Sequence, residues 1–244
     1  SSCSKKEVKV DTVANDSDRS YEVYREALEE MESGDYFIAS KKFAEAENIL
    51  PKVEFAAKAS LMSSYALYLI NFYEDATAGL EGFIKKYPAD KNIPYVYYLL
   101  IIIQYEQILD ESKDLGPLII SKKKIEDYLV NFSDTEYALD LKFKMDLINN
   151  QLAAKELYVA KYYIKTQKWI PAINRLKTIV EDYEQTIFIE EALHRLVEVY
   201  YKIGLEEEAK SAASLLGYNY NSSEWYQESY KLLNKDYKIP KKDI

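Results

Sequence analysis

Apolar residues recur along most of this chain at spacings of three and four. That is the period of a helix with one buried face. Strict alternation, the mark of a half-buried strand, is not sustained anywhere between residues 20 and 233. Only six Gly and six Pro occur in 244 residues, too few to turn the strands of a sheet protein but enough for helices joined by short connections. The most apolar stretch, Tyr95 to Ile103, falls well short of the roughly 20 residues that cross a bilayer, so it predicts a buried helix. From Glu136 to Gln167 there is neither Gly nor Pro, and apolar residues return at Leu139, Phe143, Leu147, Leu152, Leu157 and Ala160. This predicts one helix of about 32 residues, some 48 Å long at 1.5 Å per residue. A break at Asn149-Asn150 is the alternative, although Asn inside a helix costs only about a few tenths of a kcal/mol.

A repeat overlies this period. Glu32-Ser33-Gly34-Asp35-Tyr36-Phe37-Ile38-Ala39 is followed by Phe43, Ala46 and Pro51, and preceded by Ala27. Asn71-Phe72-Tyr73-Glu74-Asp75-Ala76 leads to Leu80, Phe83 and Tyr87-Pro88. Lys168-Trp169-Ile170-Pro171-Ala172 leads to Leu176, Ile179 and Tyr183, and Ile203-Gly204-Leu205 leads through Ala209 to Leu216. A degenerate copy carries Ser121, Ile125, Tyr128 and Phe132 after a charged loop from Asp110 to Pro117. Pro171 is no breaker, because proline is welcome in a helix's first turn. The small residues Ala39, Ala76, Ser121, Ala172 and Ala209 mark the point where two helices cross closely and a larger side chain would hold them apart. The pattern resembles the tetratricopeptide repeat and predicts an all-α superhelix of about five helix pairs with one long connecting helix. The expected organisation is a flexible polar leader over 1–19, repeats one to three over 20–135, repeats four and five over 136–233, and a polar tail over 234–244.

Charge and chemistry narrow the function. Lys residues are interleaved with acids and the formal net charge is −9, which excludes the clustered cationic face of a nucleic-acid binder. His194 is the lone histidine. Glu191-Ala192-Leu193-His194 fits one half of a di-iron helical motif, but such sites need a second His, as do the usual zinc sites. His194 is accordingly expected on a repeat surface. Glu228-Ser229 is similar to a dipeptide of lytic transglycosylases, with no catalytic domain after it. No Gly-rich phosphate loop and no Gly-x-Ser-x-Gly turn is present. Catalytic residues, metal ligands and cofactors are therefore expected to be none. Tyr is abundant, 24 residues against 8 Phe and 2 Trp, and suits half-wet interfaces.

Ser1-Ser2-Cys3 resembles the end of a bacterial lipoprotein signal, which makes Cys3 the expected lipidation site and the membrane contact a lipid anchor. The alternative is a chance thiol. Several features together resemble the BamD family of outer-membrane assembly lipoproteins: the near-terminal Cys, the polar leader, five repeats, the charged loop, the long helix, and the closing stretch Leu216-Gly217-Tyr218-Asn219-Tyr220 with Ser223, Trp225 and Tyr226. That resemblance implies a non-enzymatic subunit at the periplasmic face of the outer membrane. Its implied partners are the periplasmic domain of the β-barrel assembly subunit, small accessory lipoproteins and unfolded outer-membrane proteins. It places the barrel-subunit contact at Tyr201 and Lys202. The N-terminal repeats would receive C-terminal signals ending in an aromatic residue. The A-helix positions Tyr21, Tyr24, Leu28 and Met31, then Lys58, Leu61, Tyr65 and Tyr68, form the expected aromatic groove with its cation. A periplasmic repeat scaffold for cell-wall synthesis or division is the alternative function.

Overall fold

The computed structural model describes residues 11–111 and 114–234. Among the described residues there are eleven α-helices and no strand. They run α1 (Asp11–Ser33), α2 (Tyr36–Ile49), α3 (Val53–Leu69), α4 (Tyr73–Lys86), α5 (Ile93–Glu111), α6 (Gly116–Asn131), α7 (Tyr137–Lys165), α8 (Trp169–Asp182), α9 (Ile189–Lys202), α10 (Glu206–Asn219) and α11 (Glu224–Leu233). The first ten make the five expected pairs, and α11 closes the array. Two compact units divide between Ala138 and Leu139, two residues into α7.

The turns inside four of the pairs are copies of one device. In repeat one the amide of Gly34 donates to Met31 O and that of Asp35 to Glu30 O, the crossed pair of bonds that satisfies the last carbonyls of α1. Asn71 and Phe72 make the same two bonds to Tyr68 O and Leu67 O. Gln167 and Lys168 bond Ile164 O and Tyr163 O, and Gly204 and Leu205 bond Tyr201 O and Tyr200 O. The device needs one residue in the left-handed region, and φ is 84° at Gly34, 60° at Asn71, 59° at Gln167 and 82° at Gly204. Each of these stands five residues before the small residue of the next helix. Repeat three has Gly116 at that place, inside the first turn of α6 and without a positive φ. A side chain in this conformation costs about 1–2 kcal/mol, part of which glycine gives back as chain entropy. Gln167 is exposed. Gln167→Gly is therefore expected to raise stability by about 0.5–1 kcal/mol, read as a higher urea midpoint at unchanged slope.

The second helix of every pair buries the same three places. The small residues Ala39, Ala76, Ser121, Ala172 and Ala209 are all 0% exposed. Four residues on stand Phe43, Leu80, Ile125, Leu176 and Ala213, and three further Ala46, Phe83, Tyr128, Ile179 and Leu216, all buried. This i, i+4, i+7 stripe is the apolar face of a 3.6-residue period. An aromatic closes four of these helices. Tyr87, Phe132, Tyr183 and Tyr220 donate their amides to Phe83 O, Tyr128 O, Ile179 O and Leu216 O. Three residues later, Asp90, Thr135, Thr186 and Ser223 donate theirs back to the aromatic's carbonyl. The Thr135 and Thr186 hydroxyls bond that same oxygen at 2.8 and 2.7 Å. The polar residue starts the next turn and so pins the entry to the following helix.

Four expectations are corrected. Helix α1 begins at Asp11, nine residues before the expected start of repeat one at Ser20, because extending a formed helix is far cheaper than nucleating one. Residues 1–10, with Cys3, lie outside the described residues, as do 235–244 of the tail. The loop of repeat three is shorter than Asp110 to Pro117: Asp110 and Glu111 belong to α5, and Gly116 and Pro117 open α6, where a proline at the start needs no amide partner. Helix α7 has 29 residues and continues through Asn149 and Asn150. Asn150 bonds Asp146 O at 2.9 Å and accepts the amide of Ile187 at 3.1 Å. The apolar residues of α7 lie on more than one face. Leu152, Leu157 and Ala160 are buried, while Leu139 is 76% and Phe143 61% exposed. Finally, His194 is 6% exposed and belongs to the interior, not to a repeat surface.

Candidate binding surfaces

Tyrosine pairs spaced i, i+3 recur in the first helix of three pairs: Tyr21 and Tyr24, Tyr65 and Tyr68, Tyr95 and Tyr98. That spacing places both rings over one stretch of helix surface. In the first unit most of these rings are half-buried and lie against other aromatic rings. Tyr21 meets Phe55 of α3 at 5.7 Å between centroids. Tyr65 lies 6.0 Å from Tyr68, which lies 6.4 Å from Tyr73 of α4. Tyr95 and Tyr98 both pack on Tyr137, at 5.3 and 4.8 Å. Burial, and then the neighbouring Tyr65 and Tyr137 hydroxyls, push the Tyr95 hydroxyl up to about 12.

A carboxylate sits at the middle of this ladder. Tyr68 donates to Glu106 Oε1 at 2.8 Å and Tyr73 to Glu106 Oε2 at 3.1 Å, so α3 and α4 are tied to α5 through one side chain. Burial first, and Glu106 next, hold the Tyr68 hydroxyl well above its ordinary range. Glu106 and Tyr73 were not among the expected site residues. The signal available for them was weak, since a single Glu near the end of an apolar helix reads as a solvated position.

The expected groove residues separate into two groups. Lys58 and Leu28 are exposed, and Tyr21, Tyr65 and Tyr68 are half-buried. Leu61 is 7% exposed and joins the core. Tyr24 turns inward onto Phe43 of α2, with centroids 5.4 Å apart, and its hydroxyl is buried without a partner. The structure brings Tyr65 and Tyr68 together, while Tyr24 and Leu61 serve packing.

Repeat three holds a separate feature, a cavity of about 590 Å³ between α5 and α6. Tyr97 and Phe132 form one wall, stacked with centroids 5.8 Å apart at an interplanar angle of 29°. Leu100 and Ile101 line it from α5, and Lys124 and Asn131 from α6.

In the second unit, Tyr201 is half-buried against the core that α8, α9 and α10 build, and Lys202 is exposed at the last turn of α9. The Lys202 ammonium stands 5.3 Å from the Trp169 ring, a cation–π contact that holds it at the surface. Two helical turns earlier lies a buried polar cluster. His194 Nδ1 is 2.8 Å from Ser229 Oγ, its Nε2 is 3.5 Å from Glu198, and its ring packs 5.2 Å from Trp225 of α11. Arg195 bonds Glu191 and Glu198 and lies 5.5 Å over Trp225. Serine, histidine and acid are thus adjacent, but Ser229 is 0% exposed and offers no substrate access. Along α7, Leu139, Phe143 and Leu147 continue into Tyr158 and Tyr162, all exposed.

Among the described residues no group of His, Cys, Asp and Glu could hold a metal ion, and no helix is long and apolar enough to cross a membrane. Several relatives carry the name outer membrane protein assembly factor BamD. The one from Rickettsia prowazekii (strain Madrid E) is 37% identical over 211 residues, covering 86% of this chain and 84% of the relative. The one from Caulobacter vibrioides is 36% identical over 212 residues, covering 87% and 70%. PilW, a type IV pilus biogenesis factor, is a distant structural likeness at 15% identity and a TM-score of 0.28, covering 86% of this chain and 97% of its own. Residues 16–215 match the family described as YfiO, outer membrane lipoprotein. With that match and these identities over most of both sequences, the chain belongs to the YfiO family of outer membrane lipoproteins, assembly factors and not enzymes.

Proposed function

We propose that this protein is a non-enzymatic subunit of the machinery that assembles β-barrel proteins into the outer membrane. It is held at the periplasmic face by a lipid on Cys3. Its first unit receives the C-terminal segments of unfolded barrel proteins, and its second docks the periplasmic domain of the barrel-forming subunit together with small accessory lipoproteins. The name shared by its relatives, assembly factor BamD, carries this reading. Two features support it. The first unit presents half-buried tyrosines and a lined cavity, which suit an extended peptide with aromatic side chains. The second exposes Leu139, Phe143 and Leu147 at four-residue spacing along one face of α7, an apolar stripe that suits a docked partner.

Purification of the tagged, full-length protein from envelope membranes tests the assignment. An integral outer-membrane barrel should copurify with it. Recovery of a cell-wall synthase in place of a barrel would support the scaffold alternative and sink this one. Lys202→Glu addresses the docking site. Lys202 is exposed and its loss leaves the core untouched, so the variant should fold and bind the barrel subunit about 1–3 kcal/mol more weakly if the lysine meets a desolvated acid. Unchanged affinity in calorimetry at physiological salt would remove Lys202 from the interface.

A further inference from the structure

We propose that the cavity between α5 and α6 is a sugar-binding site, selective for an N-acetylated amino sugar that carries a carboxylate. This goes beyond the handling of polypeptides and stands independently of it. The aromatic wall alone would serve a peptide side chain. The side that faces it asks for a different ligand.

The two helices line the cavity with different chemistry. From α5 come only Tyr97, Leu100 and Ile101, and Phe132 stacks on Tyr97. From α6 come Lys124, Asp127 and Asn131, at i, i+3 and i+7, so their polar heads are spread along about 10 Å of one helix face. A pocket for a chain end or a simple acid gathers its polar groups at one point. Here they follow one another along a line. The matching ligand is apolar on one side and polar along its whole length on the other. A pyranose has that form, with C–H groups on its faces and hydroxyls around its rim. Its C–H groups are weakly positive and suit the negative face of an aromatic ring, and Tyr97 is 38% exposed although large and aromatic.

The free valences on α6 name the substituents. Asp127 gives Oδ1 to Lys123 at 2.8 Å and has its second oxygen to spare. Asn131 spends one amide N–H on Asp127 O, which leaves the other N–H and its side-chain oxygen. A hydroxyl both donates and accepts, and this pair of side chains answers both needs. An acetamide adds an N–H for the same acceptors and a methyl for the Leu100 and Ile101 side. Lys124 completes Lys122-Lys123-Lys124, the longest basic run in the chain, and makes no ion pair among the described residues. Its ammonium is left for an anion on the ligand. The Tyr128 hydroxyl is turned away to Pro94 O and Thr135, so that residue adds only its ring. At about 590 Å³ the space lies in the range of sites that hold small ligands.

The test follows amide NMR shifts of the isotope-labelled full chain during titration with three disaccharides. The first joins N-acetylglucosamine to N-acetylmuramic acid. The second, diacetylchitobiose, lacks the carboxylate, and the third, maltose, lacks the acetamides as well. The acidic disaccharide should shift residues of α5 and α6 and bind about fivefold more tightly than chitobiose, the span of an exposed ion pair. Maltose should bind at least about tenfold more weakly than the acidic disaccharide. Lys124→Gln should erase the advantage of the acid and leave chitobiose unchanged. Tyr97→Ala should weaken both acetylated sugars about tenfold. Both side chains are exposed, and circular dichroism checks that each variant is folded. Equal binding of the acidic disaccharide and chitobiose, or of maltose and either, would overturn the proposal. So would shifts confined to other helices, or affinity unchanged in Tyr97→Ala. If N-acetylphenylalanine displaced the disaccharide and bound more tightly, the cavity would be an aromatic side-chain pocket and the sugar site would be excluded.

Discussion

Tyr24→Phe should stabilise this protein, and Tyr24→Ala should destabilise it by about 3 kcal/mol, the low end of the range for removing a core aromatic because the ring is only half-buried. The two results have one cause. The Tyr24 ring packs edge-on against Phe43, which is 0% exposed at the centre of repeat one, so truncation opens a void beside a core side chain. The hydroxyl is a different matter. It is buried, finds no partner, and burial pushes its pKa up. Removing a buried donor that bonds to nothing recovers its desolvation penalty, about 1–3 kcal/mol, of which a half-buried residue returns the smaller part. Urea unfolding of the two variants measures both effects. A folded Tyr24→Ala with unchanged midpoint would return Tyr24 to the peptide groove. A lower midpoint for Tyr24→Phe would mean that its hydroxyl is satisfied by water.

Why Tyr24 looked like a groove residue shows where sequence pattern stops. The repeat grammar was legible because it is set by local, periodic requirements. In four repeats a left-handed residue ends one helix with a small residue five further on, and in all five the i, i+4, i+7 stripe follows, so Ala39, Ala76, Ser121, Ala172 and Ala209 could be placed in register from spacing. The same grammar at Tyr87, Phe132, Tyr183 and Tyr220, with a polar residue three later, was present in the sequence and is what fixes the second kind of turn.

Side-chain direction was not legible to the same degree. Tyr21, Tyr24, Tyr65 and Tyr68 share a residue type and a helical phase. The first two differ only by the neighbours that other helices bring: Phe55 against one, Phe43 against the other. Glu106 is an extreme case, because its role exists only once α3 and α4 deliver two hydroxyls to it. The cavity of repeat three was likewise invisible, since it depends on how α5 and α6 sit in the degenerate pair and on a stacking of Tyr97 with Phe132 across 35 residues. A lone histidine in an acidic, helical chain predicts a wet surface position, and here it was buried by α11, an element outside the repeat that the spacing described.

That burial carries the second large effect expected. His194→Leu should cost about 1–3 kcal/mol, because the change strands the Ser229 hydroxyl, 0% exposed, without its partner. With Nε2–H turned to Glu198, Nδ1 is free to accept the Ser229 proton, so one imidazole satisfies α11 and its own helix together. Adding Ser229→Ala to His194→Leu removes the stranded group as well and should restore much of the loss, a coupling of the kind a double-mutant cycle isolates. If the double variant were no more stable than the single one, ring packing against Trp225 would be the stabilising contact and the hydrogen bond incidental. Acid probes the same cluster from the other side. Burial alone pushes the Glu198 carboxyl up, but hydrogen bonds from His194 and Arg195, together with the Arg195 charge, outweigh it and hold the group at about 2. A carboxylate whose folded value is depressed contributes in full above its unfolded value, here 4.5, and loses that contribution as pH falls towards about 2. The α9–α11 contact should therefore weaken between pH 4.5 and 2, seen as a shift in tryptophan emission as Trp225 meets water, and Glu198→Gln should flatten that part of the titration. A profile in that window identical for the variant and the unaltered protein would show that Glu198 does not stabilise the fold.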